Sequence, residues 1–289
     1  MRQAILALIL LPIAAMPGRG LAETTECTPI TSLPATIGAG GVYCLVDDLS
    51  SSASTGSAIT ITANNVTLDS NHLKIGGLAA GDGTQASGIV ASDRLNITIR
   101  NCGIRGFRMG INLNGDDGGY HLVENNRLDQ NTNYGIRTEG DGTTLRSNRV
   151  YDTGGSSLPG LGFAYGISAG DDADIIDNAV KGVFATEGSD GSAFGIAANG
   201  NTGGEVSRNR VAGLVHDGSG FNLGIWANGG RPVIRDNTIA TTTPAGTSGS
   251  FYGIRCNTDI ALARDNIVVG YGQYNSQTGC TFVSNSNSY

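Results

Sequence analysis

Apolar residues along this chain return in short alternating stretches, as in Asn96-Ile-Thr-Ile-Arg-Asn-Cys-Gly-Ile104 and Val233-Ile-Arg-Asp-Asn-Thr-Ile239, with no long helical period. Two signals repeat. A Gly-Ile pair recurs at 88–89, 110–111, 135–136, 166–167, 195–196, 224–225 and 253–254, and Gly279-Cys280 continues the series. About thirteen residues after each pair comes apolar-x-x-Asn-x-apolar, centred on Asn148, Asn178, Asn209, Asn237 and Asn266. Asn71 and Asn126 fit the same template, and Cys102 stands where an asparagine belongs. Each unit of about thirty residues therefore predicts three short strands. The first begins at Gly-Ile, the second ends just before the Asn, and the third begins just after it.

Units this short cannot bury their apolar faces alone; coiled stacking buries them all together. At the spacing of paired strands, about 4.8 Å, eight stacked coils make a rod of roughly 40 Å. Asparagine suits the second turn, since it accepts left-handed backbone and can ladder its amide along the stack. Cys102 interrupts that ladder as a packing residue.

Composition adds compartment and exclusions. Met1–Ala22 has a basic start at Arg2, an apolar run from Ala4 to Met16, and small residues before Glu23, the pattern of a signal peptide too short for a comfortable membrane span. The expected organisation is 1–22 signal peptide, 23–58 N-terminal cap region and 59–289 stacked coils. Removal of Arg2 and Arg19 moves the net charge from −7 to −9. That charge speaks against nucleic acid or an anionic membrane as a general partner. Export, to the periplasm or beyond, permits disulfides. Cys27 and Cys44 flank the cap stretch. Cys256 lies an even step from inward Ile254, so it points inward, and Cys280 replaces the inward Ile of the next unit, so these two are the second expected pair.

The two stretches quoted above resemble the rungs of right-handed parallel β-helix proteins, the superfamily of pectate lyases, polygalacturonases and mannuronan epimerases. Gly41-Val-Tyr-Cys-Leu-Val-Asp-Asp-Leu49 is similar to their N-terminal cap. The resemblance covers about residues 37–285 and implies an all-β, single-stranded right-handed parallel β-helix. It also implies that the first strand of each coil and the loop before it line a carbohydrate cleft.

On that mapping the loops before Gly-Ile lengthen after Asn148 and carry aromatics. Tyr134, Tyr165, Phe194, Leu223 and Tyr252 fall in one column. The outward residue after Gly-Ile is in turn Asn112, Arg137, Ser168, Ala197, Trp226 and Arg255. Trp226, the only tryptophan, is expected as an exposed sugar platform, with Arg137 and Arg255 to grip acidic substituents and Tyr165 and Tyr252 beside it. Asp116, Asp117, Asp141, Asp171 and Asp172 cluster in the following turn, and Asn201 continues their row. They read either as Gly-Asp turn residues or as acids for sugar cleavage or Ca2+. His121 and His216 are further general-base candidates without metal-ligand spacing, as is His72 for spacing. Of the polygalacturonase signatures only a paired Asp is present, and the epimerase Asp-Pro-His-Asp is missing. No catalytic residue is assigned and no cofactor is required by the pattern. The expectation is a secreted, monomeric protein that binds polysaccharide along its first-strand face. The alternatives are a polysaccharide lyase, epimerase or hydrolase with non-standard catalytic residues, and a structural or adhesive surface rod.

Overall fold

The computed structural model describes residues 26–200, 203–240, 250–257, 261–270 and 280–288; the expected signal peptide lies outside them. Among the described residues the fold is all-β, apart from one 3-10 turn at Leu78–Ala80. The strands form three parallel sheets of nine, eleven and ten strands, each strand paired with its counterpart one coil earlier and one coil later. The nine-stranded sheet holds the Gly-Ile strands, from Ala35–Ile37 to Ser250–Cys256; we call it the first-strand sheet. The eleven- and ten-stranded sheets hold the segments before and after the asparagines and are the second- and third-strand sheets. The Gly-Ile pairs alone count seven coils. The sheets run slightly longer because Thr28–Ile30, Ala35–Ile37, Gly41–Leu45 and Leu49–Ser50, in the stretch read as a cap, pair in parallel with the coils that follow.

The register is the one the repeats dictate. Ile111, Ile136, Ile167, Ile196, Ile225 and Ile254 are partners in successive coils and are fully buried. They meet Val123, Leu145, Ile175, Val206 and Ile234 from the second sheet and Leu128, Val150, Val180, Val211 and Ile239 from the third. The core is thus a bundle of aliphatic columns. The glycine before each isoleucine is required by space. A β-carbon at Gly110 would lie 2.6 Å from Leu128 Cδ2 and 2.7 Å from the Gly135 carbonyl, and Gly135, Gly166, Gly195 and Gly224 face equivalent crowding.

The asparagine ladder is continuous from Asn126 to Asn285. Asn148 Nδ2 donates to Asn178 Oδ1 (3.0 Å), Asn178 to Asn209 (3.1 Å), Asn209 to Asn237 (3.0 Å) and Asn237 to Asn266 (2.9 Å). Each Oδ1 also takes the backbone N–H of the previous asparagine, and each Nδ2 also donates to a second-sheet carbonyl one coil back, as Asn178 does to Leu145 (2.8 Å). Two details correct the sequence reading. Left-handed backbone falls on the residue before the asparagine (Asn125, Ser147, Asp177, Arg208, Asp236, Asp265; φ 54–57°), leaving the ladder residue free to point inward. Asn71 leaves the column because the turn from Asp69 to Lys74 is two residues longer than that from Arg100 to Gly103. Asn71 is half-buried, itself left-handed, and donates to the Leu45 carbonyl. Cys102 completes the ladder with its N–H on Asn126 Oδ1 (3.0 Å) and its thiol against Ser70 Oγ (2.6 Å). Burial pushes that thiol up to about 12, so it is inert packing.

Both expected disulfides are present, with Cα–Cα distances of 5.8 Å for Cys27–Cys44 and 5.4 Å for Cys256–Cys280. Cys256 points inward as expected. Cys280, however, does not continue the Gly-Ile column: it opens a second-strand segment, Cys280–Val283, beside Ala261. The bridge therefore ties the end of one first-strand segment to the second-strand sheet.

Candidate functional site

The first-strand sheet presents three parallel rows. The first is the aromatic column. Tyr134 and Tyr165 stack at 4.7 Å and 3°, and Tyr165 and Phe194 at 4.3 Å and 7°. This is the coil spacing itself, so equivalent positions in successive coils bring flat rings into face-to-face contact. Leu223 breaks the column, and the Trp226 indole leans across to Phe194 at 5.1 Å and 33°. Phe163 and Phe221 flank the strip as exposed rings.

The second row is Asn112, Arg137, Ser168, Ala197, Trp226 and Arg255, in register as expected. The two arginines sit at opposite ends of the aromatics. Arg137 lies over the Tyr134 ring (5.9 Å) and Arg255 over Tyr252 (5.1 Å) and Phe221 (5.6 Å). They stand four coils apart, roughly 19 Å. Arg137 also pairs with Glu139, whose Oε2 accepts the Gly115 N–H (3.0 Å).

The third row went unread in the sequence. In successive coils it holds Asn114, Glu139, Gly170, Asn199, Asn228 and Asn257, one step beyond the paired strand residues. Asn199 Nδ2 donates to Ser168 Oγ (3.0 Å), Asn228 to Asn199 (3.3 Å) and Asn257 to Asn228 (3.2 Å). Unlike the inner ladder, this one is open to solvent at Asn228 and Asn257. Its sequence signal was an asparagine two residues after the outward position in three consecutive units.

Two expectations change on this geometry. Trp226 is not a free platform: it is half-buried against Phe194, and its indole N–H is enclosed with no acceptor among the described residues. Tyr134 and Tyr165 turn their faces to each other, so they offer edges and hydroxyls. Burial holds both phenols above their usual range, Tyr165 at about 12, and they stay neutral donors and acceptors. His121 does not face the strip. It is buried, its Nδ1 accepts the Ile97 N–H (3.2 Å), and burial lowers it to about 4. His216 is buried edge-on to the Phe251 ring at 4.8 Å. Asp116, Asp117, Asp141 and Asp172 are exposed turn residues and Asp171 is half-exposed. Asp172 is left-handed at φ 48°, and the Asp141 carbonyl accepts the Tyr120 N–H (2.7 Å). Asn201 lies outside the described residues. Among those described, no three acids, histidines or cysteines converge as a cation site needs.

The architecture places the molecule among the right-handed β-helices. The family model for the right handed beta helix region matches residues 43–190, just over half the chain, and the chain belongs to that family. No curated protein matches it. Among solved structures it is similar to the tailspike protein gp208 of Dettilon, at 16% identity over 88% of this chain and 60% of that one, with a TM-score of 0.53. It is similar also to the A-module of the Azotobacter vinelandii mannuronan C-5 epimerase AlgE6 (13% identity, 89% and 84% of the two chains, TM-score 0.44). A third is the catalytic domain of a GH87 α-1,3-glucanase (12%, 89% and 62%, TM-score 0.36). The chain spans 60% of the tailspike's length, and at these identities the likeness is one of fold.

Proposed function

We propose that this is an exported polysaccharide-binding β-helix whose ligand lies along the first-strand sheet, across the rows from Arg137 to Arg255. The observation that carries the reading is the side-by-side run of an aromatic column and an open asparagine ladder on one flat face. Sugar rings offer apolar faces and a fringe of hydroxyls. Rings and indole take the first, while amides, each both donor and acceptor, take the second. Arginines at the two ends suit carboxylate or sulfate substituents. Two disulfides fit an oxidising compartment, and among the described residues no helix is long and apolar enough to cross a membrane.

Screening on a glycan array, with product analysis on every glycan retained, tests the reading. Trp226→Ala should weaken binding by about 1–3 kcal/mol, the scale of a lost aromatic anchor. Because the indole packs on Phe194, its melting temperature should be followed in parallel. Asn228→Ala, at an exposed position, should weaken binding without a change in melting. If Asn228→Ala binds every retained glycan as wild type does, the ligand does not run along this face. Cleaved or epimerised products would make the face catalytic.

A further inference from the structure

The chain carries a net charge of −7, yet its third-strand sheet is basic. The strands Lys74–Gly76, Gly103–Arg105, Arg127–Asp129, Arg149–Gly154, Ala179–Phe184 and Arg210–Val215 hold Lys74, Arg105, Arg127, Arg149, Lys181 and Arg210, which include both lysines of the protein. Against them stand Asp129 and Asp152. The register stacks these cations. Arg127 and Arg149 are direct partners, and Arg210 follows two coils after Arg149 in the same row. Like charges about 4.8 Å apart on one face work against folding unless something neutralises them.

The second-strand sheet shows what this chain does with arginines that serve structure alone. There Arg100 pairs with Asp69 (2.8 Å), Arg146 with Glu124 (2.7 Å) and Arg235 with Glu205 (2.7 Å), each acid one coil before its arginine. On the third sheet Asp129 alone serves both Arg105 and Arg127 (3.1 Å each), and Lys74 holds Asp48. Arg149, Lys181 and Arg210 are exposed, and none of them forms an ion pair among the described residues. Two adjoining depressions of about 360 and 400 Å³ lie at the second turn, both lined by His72, Asn101, Asn125 and Arg127; the first extends to Lys74 and Arg105 and the second to Arg149.

We propose that the third-strand sheet is a second binding surface, for a polysaccharide bearing carboxylate or sulfate groups. Guanidinium forks match both anions in two-point contacts, while the imidazole and amides of the depressions suit sugar hydroxyls. Neither a nucleic acid nor a bilayer fits as well. Of the two aromatic rings on these strands, Tyr151 has Arg127 over its face (5.7 Å) and Phe184 ends its strand beside Gly154 and Gly155, so no run of free stacking platforms serves bases. Exposed apolar side chains do stand on this sheet, Val215 at the end of a strand and Ile267 and Val269 two coils beyond Arg210, but none alternates with the cations between Lys74 and Arg210 to carry them into a headgroup layer. This surface lies on a different sheet from the aromatic strip and does not rest on it.

Equilibrium binding of the exported protein to a polyuronate, a sulfated dextran, neutral dextran, single-stranded DNA and anionic phosphatidylglycerol vesicles tests the proposal. Wild type should bind the polyuronate, the sulfated dextran or both, more weakly as salt rises, and ignore neutral dextran. The relative strengths of the first two arms identify the anion. Arg149→Gln/Lys181→Gln/Arg210→Gln should lose at least tenfold and retain its melting temperature, with single Arg149→Gln as a milder form. The three substitutions leave the first-strand sheet untouched, so a loss in the triple variant reports on this surface alone, and failure here is separable from failure of the first-strand reading. The proposal is overturned if the triple variant binds the acidic polymers like wild type, if no acidic polysaccharide binds, or if DNA or vesicles are held as tightly.

Discussion

At the scale of single residues, two of the three histidines serve the interior. His121 is the clearest case. Its ring is sealed under the coil, and Nδ1 must stay unprotonated to accept the Ile97 N–H. Burial depresses its folded-state value to about 4, below the ordinary value near 6.5 of the unfolded chain. Between those values the unfolded state binds more protons than the native one, so stability rises with pH across that window. The contribution is complete above about pH 6.5 and is lost as pH falls towards 4, by up to about 3 kcal/mol. His216 is shifted in the same direction, so the wild-type slope contains both. In His121→Asn, melting temperature followed from pH 7 to 4 should fall less steeply than in wild type. Parallel curves would mean that His121 titrates alike in both states. Nothing in the sequence around His121 distinguishes this buried acceptor from a surface base; only the coil beneath it does.

At the scale of elements, the ladder and the columns explain why so much of the fold is legible in the sequence. The glycine before each isoleucine has no room for a β-carbon, and each inward asparagine has a fixed set of partners in neighbouring coils, so both must recur in every unit. Side chains that meet only their own row are less legible. The flat stack of Tyr134, Tyr165 and Phe194 and the lean of Trp226 depend on ring orientation, which periodicity does not encode. The basic third sheet was hidden for another reason. Arginines occur on two sheets, and the acids that neutralise one set lie a coil away, at separations of 22 to 31 residues, where turn lengths decide who meets whom. The ladder itself can be weighed. Asn178→Ala removes the acceptor for the N–H and amide of Asn148 and the donor to Leu145 and Asn209. With buried donors left unmatched at about 1–3 kcal/mol each, the expected loss is about 3–5 kcal/mol in denaturant unfolding. A loss below about 1 kcal/mol would mean that water replaces the amide inside the turn.

At the scale of the whole molecule, a stack of coils touches only its neighbours, so stability is distributed along the axis and the ends are its weak points. The two disulfides lie towards the two ends: Cys27–Cys44 in the first coil, and Cys256–Cys280 where the last coils join. The second bridge ties a first-strand segment to the second sheet across 24 residues, a loop length for which chain entropy alone is worth about 3 kcal/mol. It also bridges a stretch, 261–270, whose strands pair with only short segments on the outer side, Cys280–Val283 and Ser286–Ser288. Cys256→Ser/Cys280→Ser should therefore lose hydrogen-exchange protection from about Ser250 onward. Protection of the inward columns from Ile111 to Ile196 should persist, because those coils keep both neighbours. If instead protection falls equally along the chain, the rod unfolds as one cooperative unit and the bridge stabilises all of it.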